Sequence, residues 1–257
     1  MSSFIDTFNP FSLRGKTVLV TGASSGIGRE TAIICSKMGA TVIISARNAE
    51  RLADTLNRLD GRGHKIIVGD LSDESQIDNL AIETPELDGI VHCAGIGDRT
   101  MLKMARKKDL DRVMKANFDG PVLLQRALLK KKKVKSSSSI VFIASRAPFA
   151  PTPGNGLYAA SKGALIAYAK VLGLELANQL IRVNCICPAM VWTELVQRDA
   201  ELTGADYHEA EKSYPLKRYG KPEDIANLVV YLLSDASTWM TGSCIDITGG
   251  GEFTLKA

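Results

Sequence analysis

The sequence predicts a single α/β domain, residues 1–257, built on a doubly wound parallel sheet of seven strands. Three observations carry that expectation. Apolar, β-rich runs alternate with stretches of helical period along the whole chain. The strand runs are continuously apolar rather than alternating, as in a parallel sheet covered on both faces. No linker and no internal repeat divides the chain, and 257 residues suit one large domain.

The elements follow in order. A first strand, Thr17–Thr21, runs through a glycine-containing turn into a helix over 27–38. A second strand, Thr41–Ala46, precedes a helix over 50–59, and a third, Lys65–Val68, a helix over 74–81. Strands over 89–93 and 139–144 flank one long helix, 110–129. A helix over 158–176 leads to the sixth strand, 182–186, and the helix Pro222–Leu233 to the last, Cys244–Ile247. Seven strand–helix alternations imply right-handed crossovers. The run of lysines and serines over 130–139 reads as a solvated loop whose cations complement a helix C-terminus, rather than as a docking patch.

Composition narrows the function classes. At 45% hydrophobic and 23% charged the chain has an ordinary soluble makeup with ample core. A net charge of +4 is too small to argue for nucleic acid. No apolar run reaches the length of a membrane span, and the start, Met-Ser-Ser-Phe-Ile-Asp-Thr-Phe-Asn-Pro, lacks the order of a signal peptide. Cys35, Cys93, Cys185, Cys187 and Cys244 are odd in number and lie in apolar segments, so they read as reduced core residues of a cytoplasmic protein. His64, His92 and His208 are scattered without metal-ligand spacing, and no metal is expected.

Two motifs carry chemistry. Thr21-Gly22-Ala23-Ser24-Ser25-Gly26-Ile27-Gly28 follows the first strand and opens a helix. A pyrophosphate needs close backbone approach and the positive end of a helix, and glycines at 22, 26 and 28 remove side chains from its way. The spacing is one residue longer in its first gap than the common dinucleotide fingerprint. Further on, Tyr158 and Lys162 stand at i and i+4, on one helix face, thirteen residues after Ser145. An ammonium beside a phenol favours the phenolate, which suits proton exchange with an alcohol or carbonyl near neutral pH.

The glycine loop, the pentapeptide Tyr158-Ala159-Ala160-Ser161-Lys162, Ser145 and Asn117 together resemble the short-chain dehydrogenase/reductase family in its non-extended branch, from about residue 13 to 250. The segment 216–226 and the ending Asp246-Ile247-Thr248-Gly249-Gly250 are most similar to 3-oxoacyl-acyl-carrier-protein reductases. The resemblance implies a Rossmann fold and hydride transfer between a ketone and a secondary alcohol. It makes Tyr158 the general acid or base and Lys162 its partner and ribose holder. Ser145 would bind the substrate oxygen, and Asn117 would anchor a water. It places the cofactor against Gly22, Ser24, Ser25, Gly26, Ile27, Gly28, Asp70, Leu71, Ala94, Gly95 and Ile96. Pro188, Val191 and Thr193 would hold the carboxamide.

Cofactor choice follows from Ser45-Ala46-Arg47. NAD-preferring folds place an acid at the end of the second strand for the ribose hydroxyls. Here Ala46 stands in that place, Arg47 can pair with a 2′-phosphate and Ser45 can hydrogen-bond it, so NADP(H) is expected. A second basic residue common in NADP-preferring relatives is replaced by Ser25. Further departures are Ala189 for a usual glycine and His92-Cys93 for Asn-Asn; His92 is expected to hydrogen-bond in the sheet, and Cys93 to pack.

The substrate region is expected over 146–156 and a lid over about 190–215, with Phe149, Met190, Trp192, Leu195, Tyr207 and Tyr214 suited to an apolar or acyl group. Arg146 is a candidate partner for an acidic group. Expected partners are a small carbonyl or acyl-thioester substrate and an acyl carrier protein, met by basic helix surface near Arg112, Arg126 or Lys130, with no nucleic acid and no membrane. The apolar excess of the helices over 113–129 and 158–176 points to a homotetramer, the assembly common in the family. Two other readings stay open: an NAD-dependent alcohol, sugar or steroid dehydrogenase of the same fold, and a cofactor-binding regulatory protein without turnover.

Overall fold

The computed structural model describes residues 9–204 and 206–251. Residues 1–8, on which the signal-peptide reading mainly rests, and Ala205 within the expected lid lie outside them. The sheet comprises β1 (Thr17–Thr21), β2 (Thr41–Ala46), β3 (Lys65–Val68), β4 (Leu87–His92), β5 (Val134–Ile143), β6 (Arg182–Pro188) and β7 (Cys244–Ile247). Their order is β3-β2-β1-β4-β5-β6-β7, every neighbouring pair parallel. The order reverses between β1 and β4. A doubly wound sheet opens its ligand crevice there, at the carboxyl ends of the strands.

The helices are α1 (Gly26–Lys37), α2 (Ala49–Leu56), α3 (Glu74–Glu83), α4 (Lys107–Met114), α5 (Gly120–Lys130), α6 (Gly156–Glu175), α7 (Glu194–Thr203), α8 (Tyr207–Glu211) and α9 (Pro222–Leu233). Two apolar layers sandwich the sheet. Leu19, Ile90 and Ile140 point toward Leu80 of α3, Leu124 and Leu128 of α5, and Leu165 and Leu172 of α6. Their strand neighbours Val18, Val91 and Val141 point the other way, toward Ala32 of α1, Leu52 of α2 and Val229 of α9. Side chains alternate across a strand, so a sheet buried on both faces needs apolar residues at nearly every position, as in the Val-Leu-Val run of β1.

The structure corrects the sequence reading in three places. The single helix expected over 110–129 is two, α4 and α5, separated by a π turn at Lys115–Asp119. A Cβ on Gly120 would lie 2.6 Å from the Leu71 carbonyl oxygen, so the chain passes too close to that loop for any other residue. The expected loop over 130–139 is mostly strand: β5 starts at Val134, and its pairing with β4 shifts across an irregularity in which Ser137 has φ 62°. Ser138 and Ser139 are buried, and the Ser139 hydroxyl donates to the Leu232 carbonyl of α9 at 2.7 Å. Lys135 pairs with Asp88 of β4 at 2.9 Å. The polar run enters the sheet with Ser139 and Lys135 paired, while the buried Ser138 hydroxyl has no hydrogen-bond partner among the described residues. Segment 190–214, expected only as a lid, carries the two helices α7 and α8.

His92 has the structural, hydrogen-bonding part expected of it, with a partner on a helix. It stacks on Phe142 with ring centroids 4.5 Å apart, and its Nε2 lies 2.9 Å from Gln125 Oε1. It thus ties the sheet to α5 rather than strand to strand. Burial pushes its pKa down to about 4, against the Gln125 contact, which acts the other way.

Candidate active site

One crevice of about 1820 Å³ runs across the carboxyl ends of β1, β4, β5 and β6. It exceeds the few hundred to about 1,000 Å³ of a site for one small ligand.

At its first end the glycine loop divides its work among its glycines. Gly22, at φ 68°, lets the segment after β4 approach: a Cβ there would lie 2.8 Å from Ala94 Cα. Gly28 lets α1 start against the loop itself, a Cβ being 2.4 Å from the Gly22 carbonyl oxygen. Of the three, Gly26 alone meets the far side of the crevice, where a Cβ would lie 3.2 Å from Thr193 Cγ2. Two of them thus serve the protein's own packing first. The N-cap residue of α1, Ser25, makes no side-chain cap bond, and no acid lies in the helix's first turn. The opening N–H groups of α1 are thereby left for an anion.

Past this loop, β2 ends in Ala46. Ser45 is 2% exposed, with its carbonyl accepting from Ala23 N–H at 3.2 Å, while Arg47 is exposed at the rim. Ser45 therefore sits in the crevice floor and Arg47 is the reaching group. The Gly69 N–H bond to the Ala46 carbonyl brings Asp70 beside them, and Asp70 Oδ1 accepts from Ser72 N–H at 2.8 Å. Asp73, not Asp70, caps α3. Leu71 and Ala94 also line this end.

The other end is assembled from β5, α6 and β6. Ser145, Tyr158 and Lys162 all line the crevice. Lys162 is 5% exposed; its Nζ donates to the Ile143 carbonyl at 2.8 Å and lies 5.9 Å from the centre of the Tyr158 ring. A buried ammonium with one N–H on a carbonyl keeps two more for neighbours. Ser145 is fixed by its place: Ala144 and Arg146 N–H groups bond the Ile186 and Pro188 carbonyls, and its own hydroxyl accepts from Ala147 N–H at 3.0 Å. Asn117 stands one layer behind. Fully buried in the π turn, it accepts from Ile96 N–H at 2.7 Å and donates to the Ile96 carbonyl and to Ser161 Oγ. Its side chain is thus engaged by protein and holds the Gly95–Ile96 segment after β4 against α6; a Cβ on Gly95 would lie 3.0 Å from its Oδ1.

Beyond β6, Val191 is buried and bridges to Gly220, and the Thr193 hydroxyl accepts from Val196 N–H, capping α7. The aromatic residues offered for substrate contact divide. Phe149, Met190, Leu195 and Tyr214 line the crevice. Trp192 and Tyr207 pack instead with Tyr214 and Tyr219, and Trp192 Nε1 donates to Glu211 at 2.7 Å, which holds that carboxyl below its usual range. Arg146, a candidate for an external acid, meets Asp246 at 2.6 Å. Burial pushes the Cys93 thiol up to about 12, which suits packing and not nucleophilic attack.

Sequence reasoning missed Arg51, Glu194 and Arg198, which also line the crevice. Arg51 stands in the first turn of α2, four residues after Arg47, a basic pair that was there to read. Glu194 gives no local signal. Among the described residues no group of three His, Cys, Asp or Glu is placed to hold a metal, and no helix is long and apolar enough to cross a membrane.

A doubly wound sheet with a glycine loop at its switch point and a Ser, Tyr and Lys on the same crevice defines a dinucleotide-dependent oxidoreductase. Comparison with known proteins agrees. A family model described as enoyl-(acyl carrier protein) reductase matches residues 22–252. A 3-oxoacyl-[acyl-carrier-protein] reductase of Rickettsia felis is 34% identical over 238 residues, 93% of this chain and 97% of that protein. An L-xylulose reductase of Caenorhabditis elegans is 32% identical, over 93% and 97%. Among solved structures, a dehydrogenase/reductase from Sinorhizobium meliloti superposes with a TM-score of 0.88 at 32% identity, covering 96% of this chain and 99% of that one. The chain belongs to the short-chain dehydrogenase/reductase family and resembles its 3-oxoacyl-acyl-carrier-protein reductases. Membership implies a nicotinamide cofactor, and the uncapped start of α1 under the glycine loop fits its pyrophosphate.

Proposed function

We propose that the protein is an NADP(H)-dependent reductase that converts a ketone, foremost the 3-oxo group of an acyl thioester, into a secondary alcohol. The observation that carries this reading is that Ser145, Tyr158 and Lys162 line the same crevice as the glycine loop. When bound, the cofactor supplies the hydride. The remaining work falls to the chain. Ser145 Oγ donates a hydrogen bond to the carbonyl oxygen and stabilises the charge that grows there. Tyr158 passes its phenolic proton to that oxygen, and Lys162, with N–H groups beyond the Ile143 bond, favours the resulting phenolate and holds a ribose hydroxyl. Asn117 keeps the segment at 95–96 and α6 in fixed relation.

Arg47 pairs with the 2′-phosphate, with no acid at Ala46 to oppose it. Gly22, Ser24, Ser25, Gly26, Ile27 and Gly28 hold the pyrophosphate, Asp70, Leu71, Ala94 and Gly95 the adenosine side, and Pro188, Val191 and Thr193 the carboxamide. Segment 190–215 serves as the lid of a single domain, with Phe149, Met190 and Leu195 against the acyl chain. Exposed apolar residues on α6, Val171 and Leu174, support a homotetramer. An acyl carrier protein as substrate bearer and a cytoplasmic setting follow from the same likeness.

The test is NADPH and NADH oxidation with 3-oxoacyl thioesters and with L-xylulose. Turnover of the thioesters with NADPH preferred is expected. Turnover of the sugar alone would move the substrate class toward the second relative, and consumption of neither cofactor across the panel would end the reading.

A further inference from the structure

The crevice has two rims from distant parts of the chain, and one ion pair joins them. Arg51 Nη2 lies 2.5 Å from both carboxylate oxygens of Glu194, 143 residues away in sequence. Arg51 is anchored at its own rim. Its Nε donates to the Ser24 carbonyl in the glycine loop at 3.3 Å, and its backbone N–H bonds the α2 cap Asn48 at 2.8 Å. Glu194 is the first residue of α7, directly after the Thr193 that already meets Gly26. The pair is about one-third exposed, with side-chain accessibilities of 32% and 39%. The Arg51 hydrogen bond holds the Glu194 carboxyl below its ordinary range. Arg198, at 3.9 Å, is a second and weaker cation for it.

Resting on the reading of the crevice as a dinucleotide site, we propose that Arg51 and Glu194 are positioning residues that form a clasp, fastening the start of α7 across the glycine loop so that bound dinucleotide is retained beneath. A carboxylate at 194 beside a loop suited to phosphates repels them unless it is neutralised, and Arg51 neutralises it. One guanidinium nitrogen meets both carboxylate oxygens while Nε holds the Ser24 carbonyl, so the pair ties Glu194 to the glycine loop. Each partner is anchored on a different segment, so breaking the pair frees α7 from the loop. The clasp closes over the dinucleotide as a whole and does not read the 2′-phosphate, so NADPH and NADH are retained alike.

The test follows dinucleotide release by stopped-flow displacement, for NADPH and NADH separately, and amide hydrogen exchange over 194–204 in the dinucleotide-free protein. Arg51→Met and Glu194→Gln are expected to release both dinucleotides about five-fold faster and to exchange faster over α7, the scale of a good partly exposed ion pair. The reversed pair, Arg51→Glu with Glu194→Arg, is expected to restore slow exchange over α7. Faster release of NADPH with NADH unchanged would make Arg51 a 2′-phosphate reader and overturn the clasp. Unchanged release and exchange, or exchange that the reversed pair leaves fast, would overturn it as well. Binding of neither dinucleotide would sink the crevice reading, and the exchange measurement would then decide the clasp alone.

Discussion

The two ends of the crevice are built by opposite means. The phosphate end is a local structure: one strand, one loop and one helix start, contiguous from Thr17 to Gly28, in which backbone groups do the work. The catalytic end is an assembly of side chains from β5, α6 and β6, held by contacts over long sequence distances, such as Lys162 to Ile143 and Asn117 to Ile96. Damage should therefore differ in kind. At the first end a substitution acts by sterics and spreads through the loop. At the second it removes one chemical group and leaves the scaffold standing.

The largest expected effect lies at the catalytic end. Tyr158→Phe should lower kcat by about 10³-fold, within the range of a lost general acid, with NADPH affinity unchanged in a fluorescence titration. A parallel loss of affinity would mean that the two ends are not separable. Next comes the phosphate end. Gly28→Ala puts a Cβ 2.4 Å from a backbone oxygen that no side-chain motion can relieve. A cost of about 1–3 kcal/mol in urea unfolding is expected, together with weakened dinucleotide binding, because loop and α1 start must separate.

A third prediction concerns the sheet between the two ends. His92 is pushed down to about 4 from 6.5 by burial, so the unfolded chain takes up a proton at higher pH than the folded one. Its contribution is complete above about pH 6.5 and is lost as pH falls toward 4. Stability should drop by about 2 kcal/mol from pH 7 to pH 5 on this account. In His92→Asn that part of the slope should vanish, while the part due to carboxylates stays. The smallest effect sharpens the phosphate end. Arg47→Ala should weaken NADPH about ten-fold and leave NADH unaltered, read by titration of both.

Legibility followed the same division. The glycine loop could be read from the sequence because its order, strand then loop then helix, is itself the mechanism of anion binding. Tyr158 and Lys162 could be read because helical spacing places them together. An interruption at Asn117 was legible in the asparagine itself, but not the division into two helices across a π turn, where Gly120 passes close to Leu71 from another part of the chain. The entry of Ser139 into β5 was hidden for a similar reason: its polarity argues for a loop until α9 offers an acceptor. Trp192 and Tyr207 suited an acyl substrate by composition and turned out to hold α8 and its neighbours together.

By itself, then, the sequence determined the strand–helix alternation, the phosphate loop and the Tyr–Lys pair, since each depends on residues within a turn or two of one another, and the continuously apolar strands implied the parallel sheet. Only the tertiary structure decided which polar groups are spent on the protein and which face the crevice. Asn117 and Arg146 are engaged, Arg47 stands at the rim, and Arg51 meets Glu194 from the other half of the chain. The reason is physical: a side chain's partner is whatever packing brings within about 3 Å, and sequence distance does not bound that.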